Sequence, residues 1–175
     1  MNTYTMNDIR ELKPCYDPTR YLPDDWTGTL LDILAVEDCP AEDRLWVVIG
    51  LLDDNQRRLI ACQFVRLTPL AGGGTVWDLL TDERSRNAVE VAERFANGEA
   101  TKDELAAAGH AAWYAAWSAA GYAAGYAAWY AAGYAAWSAA GYAASAAATD
   151  AASAAAINAA TDAQIKIARE FVSTS

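Results

Sequence analysis

The chain has 175 residues, a length that suits one domain or one domain with an appendage. It carries 23 Asp and Glu against 13 Lys and Arg, a net charge of −10, which argues against binding to a nucleic-acid backbone because that needs clustered Lys and Arg. An acidic surface suits a basic partner, or simply keeps an alanine-rich chain in solution.

Charge divides the sequence. Residues 1–104 hold 20 acids and 11 bases, whereas residues 105–149 hold no charged side chain at all. The boundary predicted from this lies near residue 100. It leaves an acidic helical domain over 1–100, a repeat region over 101–172 and a frayed tail over 173–175. Cys15, Cys39 and Cys62 are odd in number and follow no disulfide or metal spacing. Reduced thiols in a cytoplasm are therefore expected, and the opening MNTYTMNDIRELKP lacks the basic and apolar regions of a secretory signal.

In chain order, KPCYDPTRYLPDDW places Pro14, Pro18 and Pro23 close together and reads as an extended loop, since proline lacks the donor that a helix interior needs. TGTLLDILAVED reads as a helix capped by Thr29, with Asp32 near its positive end. Pro40 opens a second helix, in which Leu45, Val48, Ile49 and Leu52 share one face. DDNQRRLIACQFVRL is a third, stopping before Pro69. AGGGT is a flexible loop that lacks the Lys-Ser/Thr ending of a phosphate-binding loop. The stretch from Thr75 to Leu105 reads as strongly helical, with Ala88, Val91, Ala92 and Phe95 on one face and Asn97-Gly98 as a stop. Thr101 to Glu104 is a capping box that starts the next helix and leads into the repeat.

The segments LKPCYDPTRYLPDDWTGTLLDIL, PAEDRLWVV and LLTDERSRNAVEVAERFANGEATKDELAAA resemble a scattered family of uncharacterised bacterial and phage proteins in which similar segments precede long Ala-rich runs. The later part is also distantly similar to helical proteins regarded as immunity proteins of polymorphic toxin systems. The resemblance spans roughly residues 9–108 and implies no established activity. Those relatives carry Asp and Arg in the Ala-rich repeat, where this chain has Tyr, Trp, Gly and Ser.

From residue 109 the chain runs in fours. A first column holds Trp or Gly through 141, a second holds mostly Tyr and Ser, and the third and fourth are Ala throughout 111–160. Alanine and the capping box predict helix, against about 1 kcal/mol for each interior glycine. A step of four residues turns about 400°, so each column drifts by about 40° per tetrad round a straight helix. Three arrangements satisfy that drift: a right-handed supercoil, shorter helices folded back, or several copies packed together. The aromatic interaction residues expected are Trp113, Tyr114, Trp117, Tyr122, Tyr126, Trp129, Tyr130, Tyr134, Trp137 and Tyr142. Gly121, Gly125, Gly133 and Gly141 are expected to allow close packing. A silk-like β reading is the rival, opposed by helical flanks and the lack of turn dipeptides. A membrane span is disfavoured because Leu, Ile, Val, Phe and Met are absent from 106–156. Beyond the repeat, Thr149-Asp150 is a possible cap for a further helix, with Ile157, Ile165, Ile167 and Phe171 as apolar anchors.

Catalytic chemistry finds little support. His110 is the single histidine and has no cysteine or second histidine near it for a triad or metal site. The pairs Asp24-Asp25, Glu42-Asp43 and Asp53-Asp54 are explained by expected helix N-termini. Trp26, Trp46 and Trp77 are expected in the core. The expectation is an all-α protein: a small N-terminal helical domain followed by a long Ala/Trp/Tyr/Gly tetrad-repeat helical region. It is expected to act without enzymatic chemistry, cofactor or metal, through self-assembly as a homo-oligomer or by binding another protein. The alternative is an immunity or anti-defence protein that binds a toxin or defence partner through its acidic half.

Overall fold

The computed structural model describes residues 2–70, 72–118 and 154–174. Most of these residues are helical. The elements are β1 (Tyr4–Thr5), α1 (Met6–Glu11), β2 (Thr27–Gly28), α2 (Leu30–Leu34), α3 (Ala41–Leu51), α4 (Asp54–Leu67), α5 (Glu83–Ala96), α6 (Lys102–Ser118) and α7 (Ala154–Thr174), with single 3₁₀ turns at Pro18–Arg20 and Val76–Leu79. No helix among the described residues is long and apolar enough to cross a membrane.

One local device opens four of the helices. Thr5, Thr29, Asp53 and Thr101 each accept the amide of the third helical residue, whose side chain bonds back to the cap's own N–H. At Thr101, Glu104 Oε2 takes the backbone N–H at 2.7 Å and the hydroxyl at 2.9 Å. This satisfies two amides that a helix start otherwise leaves unpaired. The starts expected at Thr29 and Thr101 are thus present, and Pro40 precedes α3 as expected.

Three local expectations are corrected. The helix read from Thr75 onward is interrupted: Val76–Leu79 forms a 3₁₀ turn, and α5 begins anew after Asp82, whose carboxylate accepts the Arg84 amide at 2.9 Å. Val76 and Leu80 are both buried, so packing holds this break. Asp24 and Asp25 lie in a turn before β2 rather than at a helix start, and Asp24 takes Arg10 Nη2 at 2.6 Å. β1 and β2 pair antiparallel, Tyr4 opposite Gly28, although no strand was expected. A Cβ at Gly28 would lie 2.7 Å from the Trp26 ring, so that close approach requires glycine. Gly98 ends α5 at φ +79 as read, while Asn97 stays right-handed at φ −87.

The core is built from Leu34, Leu45, Val48, Ile60, Phe64, Val65, Val89 and Ala92 of α2–α5. Both helices that flank residues 119–153 join it. α6 lies along α5 and buries Ala108 and Ala112. α7 packs on α2, α3 and α4 and buries Ile165, Ile167, Ala168, Phe171 and Val172. Each large apolar side chain so placed contributes about 1.5–3 kcal/mol relative to exposure. Polar pins accompany them: Gln164 Nε2 donates to Thr68 Oγ1 at 3.3 Å, and Arg169 Nη2 donates to the Leu34 carbonyl at 2.9 Å. Ile157, read as an anchor, is exposed instead. Ser173 and Thr174, read as a frayed tail, continue α7 and bond back to the Arg169 and Glu170 carbonyls.

Candidate functional site

Three features of the described residues bear on function. The first is α6, where the repeat begins. Its buried positions among the described side chains are Ala108, Gly109, Ala112 and Ala115. That is the spacing of a 3.6-residue helix resting one face on a neighbour. Alanine and glycine on that face let two helix axes approach closely. The first aromatic pair borders it: Trp113 is half-buried and Tyr114 is 62% exposed, their rings meeting edge to face at 4.9 Å. His110 is exposed on the same helix.

Of the interaction residues expected from the sequence, Trp113 and Tyr114 are therefore placed, and Trp117 falls in the last turn of α6. Tyr122, Tyr126, Trp129, Tyr130, Tyr134, Trp137 and Tyr142 lie outside the described residues. So do Gly121, Gly125, Gly133 and Gly141, and the Thr149-Asp150 cap.

The second feature is a stack of arginines on aromatic faces between α4 and α5. Arg66 lies 4.1 Å from the Trp77 ring centroid and forms a two-point pair with Glu93, Nε to Oε1 at 2.6 Å and Nη2 to Oε2 at 2.8 Å. Arg86 approaches the same ring at 5.6 Å. Arg58, itself buried, stands 5.0 Å from Phe95. A guanidinium prefers such a site because its plane stacks while its fork bonds a carboxylate. The Glu93 bonds raise the Arg66 pKa, against a smaller opposing effect of burial. The stack joins two helices and half-covers Trp77, a role in packing.

The third feature is a cleft of about 240 Å³ between the ends of α1 and α2, the start of α3 and the proline-rich loop. Its floor is aliphatic, with Ile9, Ile33, Val36 and Val47, and its walls carry Tyr16, Tyr21 and Trp46. The loop enters through Lys13, at φ 56 in the left-handed region, and turns at Pro18–Arg20, where Asp17 accepts the Thr19 amide at 3.0 Å. Tyr16 fastens the loop to α3 by donating its hydroxyl to Asp43 Oδ2 at 2.6 Å. The Tyr16 and Tyr21 rings meet at 5.8 Å and 74°, and Arg20 stands 5.4 Å from the Tyr21 ring. Burial, with the bond to Asp43, pushes the Tyr16 hydroxyl well above its usual titration range. Burial likewise raises the Cys39 thiol. Cys15, also on the lining, is exposed. Arg44 bounds the cleft and donates Nη1 to the Leu34 carbonyl at 2.8 Å.

Sequence reasoning did not assemble this cleft. It placed Trp46 in the core, whereas Trp46 is half-buried on the cleft wall. The available signal was the proline-rich segment itself, which sets Cys15, Tyr16 and Tyr21 among three prolines. Among the described residues no group of His, Cys, Asp and Glu could hold a metal ion. Comparison with protein-family models, curated proteins and solved structures finds no match to this chain.

Proposed function

We propose that this is a non-enzymatic interaction protein of the cytoplasm, in which a helical body presents an aromatic, alanine-rich repeat for assembly with further copies of itself. The observation that supports the reading most is the division of α6. Its alanines Ala108, Ala112 and Ala115 are buried, while Tyr114 of the first aromatic pair is exposed. A second support is that α6 and α7, on either side of 119–153, both enter one core. The body thus anchors both ends of the repeat. The reading includes a tetrad region that is helical over 101–172 and interlocks through Trp against Gly, with Ala-Ala allowing close approach. The likeness of residues 9–108 to the Ala-rich bacterial and phage family belongs to the same proposal.

The test is solution mass, by sedimentation, of the wild type and of a variant with Trp113, Trp117, Trp129 and Trp137 all changed to Ala. The change raises intrinsic helix propensity and removes large apolar side chains, each worth about 3–5 kcal/mol if buried. An oligomer that falls to monomer while keeping its helical spectrum supports the reading. A wild type that is monomeric at high micromolar concentration overturns it.

A second reading, immunity or anti-defence binding through the acidic half, is favoured by Glu37 and Asp38 on the α2–α3 connection and Glu42 in the first turn of α3, all exposed. Reversing these three charges in the full chain would abolish salt-sensitive capture of a basic partner if that reading holds.

A further inference from the structure

The cleft beside Tyr16 has a size, a wall chemistry and a polar end that together define a ligand class. Its volume is about 240 Å³. A dry apolar cavity of about 150 Å³ accepts benzene, so this space accommodates a planar two-ring molecule. Tyr16 and Tyr21 meet at 74°, an arrangement that offers a third ring both an edge and a face. Trp46 adds a further aromatic surface and Val36 an aliphatic one.

The polar end carries both signs, Asp43 and Arg44. Tyr16 spends its one hydroxyl hydrogen on Asp43 at 2.6 Å. What this pair then offers a ligand is acceptor capacity, chiefly on the carboxylate, because the Cys39 side chain also bonds Tyr16. Arg44 at the same end turns Nη1 to the Leu34 carbonyl at 2.8 Å. An anionic ligand meets the Asp43 carboxylate, and a cationic one meets the Arg44 guanidinium. A neutral molecule with one donor meets neither objection. We infer that the cleft binds a small neutral aromatic molecule carrying a single N–H or O–H donor, directed at the Tyr16–Asp43 pair. The inference stands on α1–α3 and the proline-rich loop and is independent of what the repeat assembles with.

Indole is a suitable probe, titrated into the full-length ¹⁵N-labelled protein and followed by amide shifts, with 1-methylindole as the donor-less control. The expected result is saturable one-to-one binding with a Kd of about 0.1–1 mM, the range for a ligand on the order of ten heavy atoms. The shifts should centre on residues 13–22 and 36–47. 1-Methylindole should bind about tenfold or more weakly, since it leaves a charged acceptor without its donor. Val36→Phe, which fills the cleft, should abolish binding, and Asp43→Asn should narrow the preference for indole. If Val36→Phe fails to fold, the shift map and the indole-to-methylindole ratio in the wild type still decide. No saturable binding, shifts centred elsewhere, or equal binding of the two probes would each overturn the inference.

Discussion

Phe171→Ala tests whether the last helix and the acidic half form one cooperative core. Phe171 is 6% exposed on α7, which packs on α2, α3 and α4. Truncating a buried Phe costs about 3–5 kcal/mol. Against a total stability of about 5–15 kcal/mol for a domain, that is a large fraction. With a urea dependence of about 1–3 kcal/mol per molar, the unfolding midpoint should fall by at least about 1 M. The informative probe is a residue on another element, and Cys62 serves. It is fully buried on α4, and burial holds its thiol far above the usual range, so it alkylates only when the core opens. Peptide-resolved alkylation in mild urea should run about 10²–10⁴ times faster in the variant, because labelling follows the open population. If Phe171→Ala loses helical signal while Cys62 stays as protected as in the wild type, α7 melts by itself and the single-core reasoning fails.

Other outcomes follow from the same geometry. Glu93→Ala leaves the half-buried Arg66 guanidinium without its two-point partner and should cost about 1–3 kcal/mol in urea unfolding; Arg66→Lys should recover little, because an ammonium neither forks nor stacks on Trp77 in the same way. Thr101→Ala removes the α6 cap and should cost about 1 kcal/mol, a melting shift of roughly 2–4 °C. Native thiols should react with Ellman's reagent in the order Cys15, Cys39, Cys62, the order of their exposure. Asp32 and Asp82 are held below the ordinary 3.8 by bonds from Thr29 and Arg84. Their contribution is present above that value and is lost as pH falls through the depressed folded values, so acid titration by circular dichroism should show stability declining from about pH 4 downward. Cys62 has the opposite sign: its folded pKa is raised above 9.0, so its contribution holds below that value and declines as pH rises past it.

What the sequence revealed divides by range. The Thr101 start was legible because a capping box is complete within four residues, and the Thr29 start because a cap and a first-turn acid are equally local. The α3 face was legible because Leu45, Val48, Ile49 and Leu52 repeat at helical spacing, and all four are buried. The break after Leu79 was not, since a 3₁₀ turn there depends on burying Val76 and Leu80 beneath other elements. Nor was the cleft, whose defining bond joins Tyr16 on a loop to Asp43 on α3, with no local period linking them. The docking of α7 was hidden by composition: continuous alanine suggests one uniform region, while the anchors Ile165, Ile167 and Phe171 are too sparse to name their partner helices.

The opening turns of α6 also show how a four-residue period coexists with a straight helix. The buried positions fall in three tetrad columns: the fourth at Ala108 and Ala112, the first at Gly109 and the third at Ala115. A face of fixed direction has to change columns, because each column drifts by about 40° per tetrad. The face stays small at all four positions because two columns are alanine and the first holds glycine at 109. A repeat with only one small-residue column would place a Trp or Tyr in the contact at the same step and force the helices apart by the width of a ring. Two adjacent Ala columns, with glycine at 109, therefore give the described part of α6 a small-residue face in spite of the four-residue period, while Tyr114 stays exposed. Over these residues α6 has two surfaces: a smooth one of Ala108, Gly109, Ala112 and Ala115 that seats it on α5, and a rough one at Trp113 and Tyr114.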